Sequence, residues 1–148
     1  MTDSPNADGY VLSRTAGEYD RLVIQARIWE PFTDRVLAAA GLGAGMSALD
    51  AGCGPGEVMR LMGRRVGLTG SVTGVDIDPE VGAFGLARLR AEEPGDFHFH
   101  AANLLTGDPV PGAPFDLVFC RFLLLHMDDP GAMGRRLADA GVVRSATT

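Results

Sequence analysis

The segment that most constrains this chain is Ala48-Leu49-Asp50-Ala51-Gly52-Cys53-Gly54-Pro55-Gly56-Glu57, where a short apolar run breaks into glycines at alternate positions and passes into an amphipathic stretch. It reads as a strand, a tight turn and the start of a helix. Glycines let the backbone turn sharply and approach a ligand closely, and a helix N-terminus offers unpaired N–H groups. Taken alone, the same pattern fits a turn that binds nothing. Its register narrows the choice: Val72-Thr73-Gly74-Val75-Asp76 reads as the next strand and places a carboxylate twenty residues beyond Gly56. At the tip of a second strand, an acid can hold a ribose diol through two hydrogen bonds, although a plain surface Asp is the competing reading.

The remainder of the chain supports this placement. From Met46 onward, short apolar runs alternate with amphipathic stretches, which is the pattern of strands and crossover helices in a parallel α/β sheet. Strands are expected at 47–51, 71–76, 96–101 and 115–120. The first crossover helix should start near Glu57 and bury Val58, Met62 and Val66, leaving Arg60 and Arg64 exposed. Asp78 is the natural N-cap of the second, with Pro79 at its first position, and that helix should reach about Glu93, weakened by Gly82 and Gly85. A last helix is expected over Gly131 to Ala140, stopped by Gly141.

Ahead of the sheet, residues 1–14 read as a polar arm broken by Pro5 and Gly9. Two helices follow between Gly17 and Ala40, with Pro31 in the first turn of the second. The chain accordingly divides into an arm and helical segment (1–45) and a core (46–148).

Composition bounds the partners. A chain of 148 residues, 46% of them hydrophobic, can build one ordinary core. Its net charge of −6 argues against a phosphate-neutralising surface, so a small molecule is the expected partner and nucleic acid is not. The N-terminus has neither a basic nor an apolar leader region, and no apolar run approaches the roughly 20 residues needed to span a bilayer. A cytoplasmic protein with no membrane partner is expected. The two cysteines, Cys53 and Cys120, form no disulfide framework and no metal-ligand spacing, so reduced thiols and no metal are expected.

The loop also separates cofactors, because Glu57 stands where a dinucleotide fingerprint has its third glycine. With Asp50 nearby, a pyrophosphate is disfavoured. Leu49 to Gly56, followed by Val75-Asp76-Ile77-Asp78-Pro79, resembles the first two motifs of class I S-adenosylmethionine-dependent methyltransferases. The resemblance covers residues 10 to 140 and implies a Rossmann-like parallel sheet with flanking helices. It places Gly52, Cys53, Gly54 and Gly56 against the methionine part of S-adenosylmethionine, Asp50 near its charged amino-acid end, and Asp76 with Ile77 at its ribose.

Further along, Ala101-Ala102-Asn103-Leu104-Leu105 stands where the family has an acid facing adenine, and the Asn103 amide oxygen can still accept a hydrogen bond. Phe115 to His126, with Asp128-Asp129-Pro130, resembles the family's fourth motif, which puts Arg121 and Phe122 near the transferred methyl. Tyr10, Glu18, Arg21, Leu22 and Gln25 resemble the helical lid of small-molecule members, where Arg21 could hold the cofactor carboxylate. His126 is the candidate general base, whereas His98 and His100, alternating with Phe97 and Phe99, read as structural.

The resemblance thus implies methyl transfer from S-adenosylmethionine to a small-molecule nucleophile. Two rivals stand beside it: a dinucleotide-dependent oxidoreductase, and a non-catalytic or partner-dependent cofactor-binding fragment. A complete fold of the family has seven strands and only four are placed here, so the expectation is a truncated or frame-shifted product that lacks the C-terminal strands. Its fourth strand would be an exposed edge through which chains self-associate.

Overall fold

In the computed structural model, the structure describes residues 16–106 and 110–120, together with helical backbone at 131, 134, 135, 137 and 138. The elements run α1 (Ala16–Ile28), α2 (Glu30–Ala39), β1 (Ser47–Ala51), α3 (Glu57–Val66), β2 (Ser71–Asp76), α4 (Pro79–Glu92), β3 (Phe97–Ala101), a 3-10 turn (Leu104–Thr106) and β4 (Leu117–Cys120). The four strands form one parallel sheet in the order β3-β2-β1-β4. Each expected strand is present, with β4 beginning two residues later than expected. The expected last helix falls partly outside the described residues, as does its stop at Gly141.

Alternation along the strands sorts the core into two layers. Ala48, Val72, Leu117 and Phe119 face α3 and α4, where they meet Val58, Met59, Met62, Val66, Leu89 and Phe97. Leu49, Ala51, Val75, Val118 and Cys120 face the opposite side, where Leu137 of the last helix packs. Burying each large side chain of this kind contributes about 1.5–3 kcal/mol. Leu37 and Leu42, from the helical segment and the turn after it, belong to the α3 layer, so that segment packs on the sheet's own core. The N-terminal pair forms as expected, with Pro31 in the opening turn of α2.

Two expectations about the crossover helices need correcting. Arg60 is 12% exposed rather than solvated, because α4 runs alongside α3 and brings Glu92 and Glu93 to it. Gly82 and Gly85 are not merely weak points in α4. A Cβ at Gly82 would run into the Phe99 ring, and one at Gly85 into the Pro55 backbone. These glycines trade helix propensity for close approach of α4 to β3 and to the glycine loop.

His98 is exposed on the edge strand, 2.8 Å from the Asp96 carboxylate, while Phe97 beside it is buried.

Candidate active site

The site begins where β1 ends. The N–H groups of Gly52 and Cys53 both donate to the Val75 carbonyl of β2, at 2.7 and 3.0 Å, which fastens the turn to the neighbouring strand. Gly52, Gly54 and Gly56 have φ of 77°, 52° and 87°. This left-handed backbone is one that side chains with a Cβ rarely adopt, so the alternating glycines are a geometric requirement of the turn. A Cβ on Gly54 would meet nothing within 4 Å: the loop has open space on that side. Gly56 caps α3, and α4 closes against the loop from beneath through Gly85.

Asp76, at the tip of β2, organises two loops at once. Its Oδ2 accepts from the Gly54 N–H and its Oδ1 from the Asp78 N–H, both at 2.9 Å. Asp78 in turn caps α4 as expected, accepting from the N–H groups of Glu80 and Val81 at 3.0 and 3.3 Å. Ile77 lies exposed beside Asp76. The end of β3 is drawn to the same place: the Ala102 N–H donates to the Asp76 carbonyl at 3.1 Å, and the Asn103 carbonyl accepts from Thr106 to close the turn that contains Leu104. Asp76, Ile77, Asn103 and Leu104 are therefore brought to one side of the glycine loop.

On the other side of the loop a cleft of about 320 Å³ opens between α1 and α3. Asp50, Gly52, Cys53, Gly54, Pro55, Glu57 and Val58 line one wall, and Leu22, Gln25, Ala26 and Trp29 line the other. Asp50 is buried, and its negative charge adds to burial in raising the thiol pKa of both Cys53 and Cys120, with Asp76 contributing further at Cys53. Cys53 turns its thiol inward, close to Gly74 of β2, so this residue meets the cleft mainly through its backbone.

Glu57, also buried, has Arg60 at 2.9 Å, Arg27 at 3.5 Å and Arg88 at 3.6 Å. Sequence reasoning noticed Glu57 but missed this setting. Arg60 at i+3 was legible, whereas Arg27 and Arg88 arrive from other helices. Trp29 was also missed as a wall residue and read only as part of a helix.

Arg21 is exposed on α1 and does not line the cleft, which its neighbours Leu22 and Gln25 do. Arg121, Phe122 and His126 lie outside the described residues. Among the described residues, no group of three or more acidic, His or Cys side chains could hold a metal, and no helix is long and apolar enough to cross a membrane.

A glycine loop after β1, an acid after β2 and the strand order 3-2-1-4 define a Rossmann-like architecture. A family model described as a methyltransferase domain matches residues 48–140, and the chain belongs to that family. The ubiquinone biosynthesis O-methyltransferase of Xanthomonas euvesicatoria pv. vesicatoria is 37% identical over 98 residues, covering 64% of this chain and 38% of that protein. The demethylmenaquinone methyltransferase of Staphylococcus aureus is 30% identical over 125 residues, covering 80% and 49%. The chain thus spans less than half the length of either relative.

Among solved structures, the magnesium protoporphyrin IX methyltransferase of Synechocystis PCC 6803 with bound S-adenosylmethionine superposes with a TM-score of 0.66 at 19% identity, covering 97% of this chain and 71% of that one. An S-adenosylmethionine-dependent methyltransferase from Aquifex aeolicus gives a TM-score of 0.65 at 22% identity, covering 74% of this chain and 57% of that one. At these identities the likeness is one of fold.

Proposed function

We propose that this chain binds S-adenosylmethionine across the glycine loop and serves methyl transfer to a small-molecule nucleophile. The observation that carries the reading is the pairing of two acids through one loop: Asp50 in the cleft wall and Asp76 at the strand tip. A negative charge at the cleft suits a ligand bearing ammonium and sulfonium groups. Each Asp76 oxygen holds one backbone N–H and has a further lone pair directed elsewhere, so both can accept a ribose hydroxyl.

In this assignment Gly52, Cys53, Gly54 and Gly56 bear on the methionine part, Ile77 on the nucleoside, and Asn103 with Leu104 on adenine. Arg21 is assigned to the cofactor carboxylate and Arg121 to the neighbourhood of the transferred methyl, and His126 is the candidate base that takes the acceptor's proton. When bound, the cofactor would supply an electrophilic methyl for the acceptor's lone pair, with its sulfur as the leaving group. The chain's own contribution is to hold the two reactants in line, a positional effect worth roughly 7–11 kcal/mol in favourable cases.

The small-molecule reading is supported by the O-methyltransferase and demethylmenaquinone relatives and by the basic residues themselves. Arg64 and Arg65 are paired with Glu93, Glu30 and Asp34 and so present little unbalanced positive charge to a nucleic acid. Calorimetric titration with S-adenosylhomocysteine and with NAD tests the cofactor. Binding of the first and not the second is expected, and the reverse result would overturn the assignment. Pairing of chains through β4, whose only partner strand among the described residues is β1, is proposed alongside and is read by sedimentation velocity.

A further inference from the structure

The three guanidinium groups around Glu57 are not equivalent. Arg60 lies on the same helix and Arg88 on α4, and their side chains are 12% and 24% exposed, whereas Arg27 reaches across from α1 and is 49% exposed. Arg60 and Arg88 are also shared with Glu92, at 3.4 and 3.7 Å. The seam between α3 and α4 therefore keeps the Glu57 carboxylate matched by itself, and Arg27 can leave without stranding a buried charge.

At its other end α1 is held differently: the Tyr19 ring lies 4.7 Å from that of Phe84 on α4. Between the two anchors Val23 is buried, and the cleft wall runs from Leu22 past Arg27 to Trp29, which is 46% exposed.

We propose that Glu57 is a positioning residue which, through Arg27, helps hold the end of α1 and Trp29 against the glycine loop, so that making and breaking this ion pair shifts how open the cleft is. The part of the inference that concerns the ligand rests on the cofactor reading above. The pair suits a reversible contact: it is long, half-exposed and screened by salt, and its loss should change the closed population only about two- to fivefold. A tighter, drier pair would fix the wall in one position.

Trp29 is the chain's only tryptophan, so its fluorescence reports the wall directly. In the unliganded full chain, acrylamide quenching of Trp29 should rise as ionic strength is raised from roughly 0.01 to 1 M, which shortens electrostatic range about tenfold. Arg27→Ala should quench strongly at every salt concentration. Arg27→Lys, which keeps the charge, should restore the salt response.

Affinity for S-adenosylhomocysteine should fall about two- to fivefold in Arg27→Ala through faster dissociation, with the unfolding midpoint unchanged. Equal quenching of Arg27→Ala and the unaltered chain at low salt would overturn the proposal. If the quenching behaves as expected but S-adenosylhomocysteine fails to bind the unaltered chain, the cofactor reading falls and the positioning role of Glu57 stands.

Discussion

Asp76 is assigned two functions through different lone pairs of the same two oxygens, and its substitution removes both. Asp76→Ala removes the acceptors for the Gly54 and Asp78 N–H groups together with those assigned to the ribose. With hydrogen bonds to charged groups worth about 1.5–3 kcal/mol each, S-adenosylhomocysteine affinity should fall at least tenfold and the unfolding midpoint should drop by roughly a few degrees. Asp76→Asn, which keeps one acceptor oxygen, should be intermediate in both, and unchanged affinity in a folded Ala variant would remove Asp76 from the site.

Gly54→Val isolates the backbone instead. Its Cβ meets no protein atom, so any loss of binding reports the cost of φ near +52° and occupation of the ligand's space. Binding should be abolished, as calorimetry can show.

The buried thiols give a pH signature. Burial and Asp50 raise both cysteines above their ordinary value of 9.0, and Asp76 adds to this at Cys53. The folded state therefore binds the thiol protons more tightly than the unfolded chain does. Stability is full below pH 9.0 and should decline as the pH rises above it, because only the unfolded chain then loses those protons readily. Replacing Cys53 by Ala should flatten that decline in the unfolding midpoint.

Among elements, local signals were sufficient and long-range ones were not. The Asp78 cap, Pro79 after it, Pro31 opening α2 and the Val58/Met62/Val66 stripe are properties of a few adjacent residues, and each is where the sequence puts it. Gly82 and Gly85 were misread because nothing adjacent to them states that Phe99 and Pro55 press against α4. The two readings predict opposite results. If these glycines only weakened the helix, Ala substitution would stabilise it by up to about 1 kcal/mol. With the close approaches described, Gly85→Ala should instead cost roughly 1–3 kcal/mol, measurable by chemical denaturation. Stabilisation would show that α4 can move away from the loop at little cost.

At the level of the whole molecule, the parallel α/β class and the pairing of the glycine loop with the strand-tip acid were legible because strand, turn and acid follow one another within thirty residues. The cleft opposite them was not. Its second wall comes from α1, which is distant in sequence from Gly52–Gly56, and the Arg27, Arg88 and Glu57 cluster unites three helices that no periodicity connects. The parallel pairing implied by the family resemblance is present in all three ladders of the strands described, whereas their order was not read from the sequence.

The Val75 carbonyl, which accepts from both Gly52 and Cys53, stitches the glycine turn to the middle of the sheet before any ligand arrives. A turn already fastened in this way has little disorder left to lose on complex formation. Amide exchange at Gly52 and Cys53 should be slow in the unliganded protein and gain little further protection with S-adenosylhomocysteine. The heat-capacity change of association should likewise match the burial of one small molecule, without the larger value that accompanies coupled folding.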